Sequence, residues 1–298
     1  MVRVSSIDLG SNSTRLLVAD VNNGEIKSLL KTHRVTQMAE KLEETYLISE
    51  QAQKRVLNAL KFFLKTSTKY QAEHIYVVGT AAMRDARNAE QFIDLINNKL
   101  GIVVEIVSGE QEGVLTSLGV LNSFPEIKEY VIVDIGGRST ELISKYKKDF
   151  NSSSFNIGVV TLTEKFFKDL PINEINLINA KNYINEIFSS FQFKDTNIIG
   201  VAGTFLSLAS IINRQTKFNE AELHRTALSK EKINQITNEI LNLKEFEIFS
   251  KYKGIDPKRS STITSGIVMV NELINSYNIK TIKVSNSDIL EGLILKKY

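Results

Sequence analysis

The residues most able to do chemistry sit in one short stretch, Asp134-Ile135-Gly136-Gly137-Arg138-Ser139-Thr140-Glu141. Two carboxylates bracket two glycines and two hydroxyls. Glycine lets a backbone turn at positive φ and lets a ligand come close, because it has no Cβ. Successive N–H groups in such a turn form a concavity for an anion. A phosphate suits the glycines, Ser139 and Thr140, and the two carboxylates suit the divalent cation, Mg²⁺ or Mn²⁺, that accompanies it. Turn capping by Asp134 and a surface strand position for Glu141 are the plainer readings of the same residues.

A second stretch repeats the plan near the N-terminus: Asp8-Leu9-Gly10-Ser11-Asn12-Ser13-Thr14-Arg15. Asp8 is the counterpart of Asp134, expected to hold a metal-bound water. Ser11, Asn12 and Ser13 are candidate phosphate contacts. Arg15 is a further cation, although an alternating edge strand would also turn it outward. A third glycine turn, Gly200-Val201-Ala202-Gly203-Thr204, opens an apolar helix, so Gly203 and Thr204 fit either a phosphate at a helix start or close strand–helix packing.

Buried strands must position these turns. Val131-Ile132-Val133 precedes Asp134, Val4 to Ile7 precedes Asp8, and Ile198-Ile199 precedes Gly200. Short apolar runs of this kind suit strands covered on both faces. Between them lie helical patterns, such as Ala52, Val56, Ala59, Leu60, Phe63 and Leu64 behind a Ser49 cap. Strands alternating with helices predict an α/β protein. The spacing also predicts a capping box at Asn88–Gln91, a strand over 102–107, a break at Ile255-Asp256-Pro257, and a last helix capped by Ser287.

The 298 residues are enough for two domains, and a repeated Asp-x-Gly turn predicts two related domains facing each other across a phosphate-binding cleft. Pro125 marks a boundary, giving 1–122 and 123–298, with the last helix, 287–297, expected to pack back on the first domain. Hydrophobic residues at 42% and charged residues at 24% are those of a soluble globular chain. A net charge of +3 does not call for nucleic acid. The chain has no cysteine, which excludes disulfides and thiolate metal sites and fits a cytoplasmic location. With only three histidines, the composition argues against a His-based metal centre or relay. No leader pattern opens the sequence and no run is long enough for a membrane span.

Taken in order, these motifs resemble the exopolyphosphatase and guanosine-pentaphosphate phosphohydrolase (Ppx/GppA) family, of the actin-like, ribonuclease H-like superfamily. Asp8 to Ser13 looks like the family's first phosphate loop, and Asp134 to Glu141 like its second. Gly79-Thr80-Ala81-Ala82-Met83-Arg84 looks like its arginine loop, and Ser108-Gly109-Glu110-Gln111-Glu112-Gly113 like its catalytic segment. The resemblance implies two actin-like domains, a catalytic Glu112 acting with Asp134, a phosphate contact from Arg84, and a metal held by Asp134, Glu141 and Asp8. It implies inorganic polyphosphate or guanosine penta- or tetraphosphate as partners, with no nucleic acid and no membrane, and a homodimer as one possible assembly. On residue type alone, Glu112 reads as an acid in a first helical turn.

Three departures stand out. Arg138 occupies a position where the family has a third glycine, so it either crowds the turn or grips phosphate with a guanidinium. Leu290 replaces an arginine before Glu291-Gly292. The helical region that lengthens the polyphosphate channel in larger members is absent from these 298 residues. A catalytically weak polyphosphate- or nucleotide-binding regulator and a kinase of the same superfamily are the rival readings.

Overall fold

The computed structural model describes residues 1–192, 196–255 and 259–298. The chain divides into two compact units, Met1–Pro125 with Ser287–Tyr298, and Glu126–Asn286. The break expected at Asp256-Pro257 lies outside the described residues.

In the first unit, β1 (Val2–Leu9), β2 (Ser13–Asn22) and β3 (Glu25–Val35) form a meander, followed by α1 (Leu42–Thr45), α2 (Glu50–Lys69), β4 (His74–Gly79), α3 (Ala81–Asp85), α4 (Ala89–Leu100), β5 (Glu105–Ile106) and α5 (Gly109–Ser123). The described strands make one sheet of order β3-β2-β1-β4-β5. Strand β1 is central, antiparallel to β2 and parallel to β4. Ile7, Leu9, Leu16 and Val18 bury one face of the sheet against the stripe Ala52, Val56, Leu60 and Phe63 of α2. That stripe recurs at three- and four-residue spacing, as a helix face must. Ser49 caps α2 by accepting from Ala52 N at 3.2 Å.

In the second unit, β6 (Tyr130–Ile135), β7 (Thr140–Tyr146), β8 (Asp149–Phe155), α6 (Val159–Phe166), α7 (Glu174–Phe188), β9 (Asn197–Val201), α8 (Ala202–Ile212), β10 (Ala227–Ser229), α9 (Lys230–Ile240), α10 (Glu245–Lys251), α11 (Ser260–Ser276) and β11 (Thr281–Val284) follow. The order of the second sheet is β10-β11-β9-β6-β7-β8. Every residue of β6 is buried, which explains its unbroken apolar run. Like β1, it is antiparallel to the next strand, β7, and parallel to a later one, β9. The final helix, α12 (Ile289–Lys297), returns to the first unit, where Leu290 and Ile294 bury against Val4, Leu17, Ala19 and Val21.

Several local expectations are corrected. Asn88 does not cap α4 with its side chain. Its amide instead exchanges two hydrogen bonds with the backbone of Ile48, both 2.9 Å. The strand expected over 102–107 shrinks to Glu105–Ile106, because only Val78 and Gly79 of β4 pair with it. Asp288, not Ser287, caps α12: its carboxylate accepts from Leu290 N, and Glu291 closes a capping box.

Candidate functional site

Each unit carries one site around the end of its central strand. In the first, Asp8 ends β1 and stands directly opposite Arg15 on β2. Arg15 donates to Asp8 from Nε at 3.0 Å and from Nη2 at 2.9 Å. Its Nη1 also donates to Asp288. Arg15, expected at a phosphate, therefore bridges two buried carboxylates. Asp288 was not singled out from sequence; the Ser-Asp-x-x-Glu pattern marks it as a helix cap but gives no sign of an arginine on its other oxygen.

The loop after Asp8 is tightly held. A Cβ on Gly10 would lie 2.7 Å from the carbonyl oxygen of Ser13, so only glycine fits. The carbonyls of Ser11 and Asn12 accept from the N–H groups of Ala39, Thr36 and Gln37 at 2.9–3.0 Å. Two buried polar atoms of this loop, Asp8 Oδ1 and Ser13 Oγ, have no hydrogen-bond partner among the described residues. A buried oxygen left so is costly unless a ligand or water completes it.

Glu112 joins the same cluster. The Ser108–Gln111 capping box starts α5 and sets Glu112 on its first turn. There its residue exposure is only 8%. Arg84, on α3, donates to Glu112 Oε2 at 2.6 Å and to the carbonyl of Val107 at 3.0 Å. Burial pushes the Glu112 carboxyl up to about 7, with Asp8 adding to the rise while Arg84 and Arg15 oppose it. Burial likewise pushes the Asp8 carboxyl up, against the pull of Arg15. Four residues far apart in sequence thus act on one another: Asp8, Arg15, Arg84 and Glu112.

In the second unit, Asp134 and Glu141 are register partners on β6 and β7, so their side chains share one face. Both are buried, and Ser154 Oγ donates to Glu141 Oε1 at 2.8 Å. The turn between them closes through Gly136 N to Ser139 O, 3.0 Å. Neither glycine adopts positive φ, contrary to expectation. The first turn of α6 packs on the loop, with Val159 N donating to Gly136 O at 3.0 Å and Val160 N to Gly137 O at 2.7 Å, and the steric need for glycine falls at Gly158. A Cβ on Gly158 would come within 2.4 Å of the Gly137 carbonyl carbon. Arg138 is also outside the left-handed region, so its side chain strains no backbone, and it is 9% exposed. Ser139 is buried. The Thr140 hydroxyl donates to Ile157 O at 2.7 Å and anchors the turn.

The third glycine turn belongs to this site. Thr204 Oγ1 lies 3.4 Å from the carbonyl of Ile135 at the end of β6. Gly203 is overlaid by a cation that sequence reading missed: a Cβ there would sit 1.5 Å from a guanidinium nitrogen of Arg259. Arg259 lies 56 residues downstream in the sequence, and nothing local marks it. Ala202, at the start of α8, holds φ at 67°, an uncommon conformation for a residue with a Cβ. Nearby, Arg225 pairs with Glu126 at 2.7 Å and His224 Nδ1 accepts from Asn286 N at 3.3 Å.

The donors suit a hard divalent cation. In the second unit Asp134 and Glu141 offer carboxylate oxygens, the ligand type of Mg²⁺ and Mn²⁺, and in the first unit Asp8 Oδ1 is an oxygen of the same type. No group of three or more His, Cys, Asp or Glu residues arranged for a metal occurs among the described residues, so Asp134 and Glu141 would leave most positions to water and substrate oxygens.

The Ppx/GppA phosphatase family profile matches residues 17–298. The chain belongs to this family. A Fusobacterium nucleatum relative, a bifunctional 3-dehydroquinate synthase/phosphatase, is 33% identical over 98% of this chain and 46% of its own length. The Vibrio cholerae guanosine-5'-triphosphate,3'-diphosphate pyrophosphatase is 29% identical over 97% of this chain and 58% of its own. The chain thus spans about half the length of these curated relatives. A solved exopolyphosphatase structure from Cytophaga hutchinsonii superposes with a TM-score of 0.89 at 26% identity, covering 99% of this chain and 97% of that one. The Ppx/GppA chain therefore has the two-unit, actin-like α/β fold of its family. Among its described residues no helix is long and apolar enough to cross a membrane.

Proposed function

We propose that this Ppx/GppA member is a divalent-cation-dependent phosphoanhydride hydrolase. It releases terminal phosphate from inorganic polyphosphate, or the 5'-γ-phosphate of guanosine pentaphosphate. The observation that carries this reading is Glu112: buried, held by Arg84 at 2.6 Å, and with its carboxyl pushed up to about 7. A base works best when its pKa lies near the operating pH, and Glu112 meets that condition.

Glu112 takes a proton from a water whose oxygen attacks the terminal phosphorus. The bridging P–O bond breaks, giving orthophosphate and a substrate shortened by one phosphate. Arg84 fixes the orientation of Glu112, and Arg15 holds Asp8 in place. The turn at Gly136, Gly137, Arg138 and Ser139 binds phosphate through backbone N–H groups and the Arg138 guanidinium, joined by Gly203 and Thr204 at the start of α8. Asp134 and Glu141 hold the cation, Mg²⁺ or Mn²⁺, which when bound would neutralise charge on the phosphoryl oxygens.

The test is phosphate release from long polyphosphate, short polyphosphate, guanosine pentaphosphate and ATP, each with Mg²⁺ and with Mn²⁺. Release from the first three, at rates above that from ATP, is the expected result. No release from any of them rejects the hydrolase reading in favour of a phosphate-binding regulator of the same fold.

A further inference from the structure

The second unit contains a cavity of about 580 Å³ lined by none of the candidate phosphate, metal or catalytic residues. It lies at the opposite end of α8 from Gly203. Ser210 is eight residues beyond Ala202, about 12 Å along the helix axis. The walls come from the end of α8, from α9, and from residues 251–255. Helix α9 turns Lys232, Ile236 and Glu239 toward it, at the spacing of a single helix face.

Its charge is lopsided. Arg214, Lys232, Lys251 and Lys253 line the cavity with one carboxylate, Glu239. Lys251 is paired with Glu239. The side chains of Lys232 and Lys253 make no hydrogen bond or ion pair among the described residues, and that of Arg214 acts on Glu239 only at longer range. A single cation here would serve to offset the partial negative charge at the end of α8. With Lys251 paired, two more exceed that need, and a concave site lined by one sign of charge concentrates the opposite one.

The backbone supports the same reading. Helix α8 ends with Arg214 at φ 53°, a left-handed position that helices ordinarily give to glycine. A guanidinium stands at the cavity wall instead. Gly254 is clamped opposite: its carbonyl accepts from Ser210 Oγ at 2.8 Å, and a Cβ would lie 2.4 Å from Gln215 O. The wall also carries an apolar part, Tyr252, Ile236 and Ile255, beside the polar Gln215, Thr216 and Gln235. Cations beside an aromatic and aliphatic wall suit an anion with a flat apolar part, and the volume is that of a small-ligand site.

We propose that this cavity is a second ligand site, which takes a nucleoside phosphate, with its base against Tyr252 and Ile236 and its phosphates among Arg214, Lys232 and Lys253. The proposal does not depend on hydrolysis at the first site.

Calorimetric titration with ADP and with inorganic tripolyphosphate, without added divalent cation, tests it. The proteins compared are wild type, Arg214→Glu/Lys253→Glu, Lys232→Glu and Asp134→Asn, each checked for unchanged thermal unfolding. ADP affinity should fall at least about tenfold in the double variant and in Lys232→Glu, and stay unchanged in Asp134→Asn. Photolabelling with azido-ADP should mark the peptide carrying Tyr252. Undetectable ADP binding by wild type at millimolar concentration overturns the proposal. So does ADP affinity that survives both pocket variants or disappears with Asp134→Asn. An equal loss for tripolyphosphate and ADP in the double variant overturns the nucleoside assignment and leaves a site for bare phosphate chains.

Discussion

Asp134 and Glu141 stand directly opposite each other on adjacent antiparallel strands. The equivalent pair in the first unit is Asp8 and Arg15, also opposite and also seven residues apart. There a guanidinium neutralises the aspartate within the protein. In the second unit two carboxylates share one face, and a divalent cation between them would offset the repulsion of like charges. We therefore expect activity to depend on a divalent cation. Asp134→Asn and Glu141→Gln should each raise the Mg²⁺ or Mn²⁺ concentration needed for half-maximal rate. An Asp134→Asn protein that responds to metal as wild type does would remove this assignment.

Glu112→Gln should lower turnover by about 10²–10⁴-fold while leaving tripolyphosphate affinity nearly intact, because the amide cannot accept the proton. In wild type, kcat/KM should rise with pH and reach half its plateau near pH 7, as the Glu112 carboxyl loses its proton. Arg84 holds that carboxyl down, so Arg84→Ala should move the rise to higher pH. A rate variant that keeps more than a tenth of wild-type activity, or a pH profile unmoved by Arg84→Ala, would count against Glu112 as the base.

The same burial has a consequence for stability. The Glu112 carboxyl is raised from an ordinary 4.5 to about 7 on folding. The folded state therefore keeps a proton that the unfolded chain releases between those values. That contribution is complete below about pH 4.5 and is lost as pH rises through 7. Glu112→Gln removes the dependence. Its stability relative to wild type should improve by about 1–3 kcal/mol between pH 5 and pH 8, measured by urea denaturation at both. A constant difference across that range would show that burial leaves the group's proton affinity unchanged.

Arg138 occupies the turn without entering the left-handed region. Replacing it with glycine relieves no backbone strain, so the remaining effect is loss of a guanidinium beside the loop. We expect Arg138→Gly to weaken tripolyphosphate binding by tens of fold, the size of one hydrogen bond to a charged group, about 1.5–3 kcal/mol. Calorimetry giving equal or tighter binding would reject a phosphate contact from this side chain.

Two glycines near the third turn should behave differently when changed to alanine. At Gly203 the new methyl meets the end of the Arg259 side chain, which can swing away. Gly203→Ala should therefore hardly change the melting temperature but should displace the guanidinium and lower phosphate affinity. At Gly200 the methyl meets the buried ring of Phe205 at 2.3 Å, in a core with no room to yield. Gly200→Ala should destabilise by about 1–3 kcal/mol. Thermal unfolding of both variants, with tripolyphosphate titration of Gly203→Ala, separates the two effects; the reverse order of stabilities would contradict the packing described.

The sequence by itself determined the strands that carry Asp8, Asp134 and Gly200, since apolar runs ending in glycine turns are local signals. It determined that Glu112 stands in a first helical turn, and the family, whose motifs run in order along the chain. Tertiary structure alone decided what those residues touch. Asn88 left its cap for the backbone of Ile48, and Asp288 took both the cap of α12 and the guanidinium of Arg15. Arg259 came to lie over Gly203 from a distant helix start, and the tightest glycine requirement beside the second turn fell on Gly158, which packs against Gly137 and Arg138, while Gly136 and Gly137 stay out of positive φ. The division has a physical cause. Backbone preference and periodicity act between near neighbours, whereas ion pairing, burial of Glu112 and the space beside a glycine depend on which distant segments pack together.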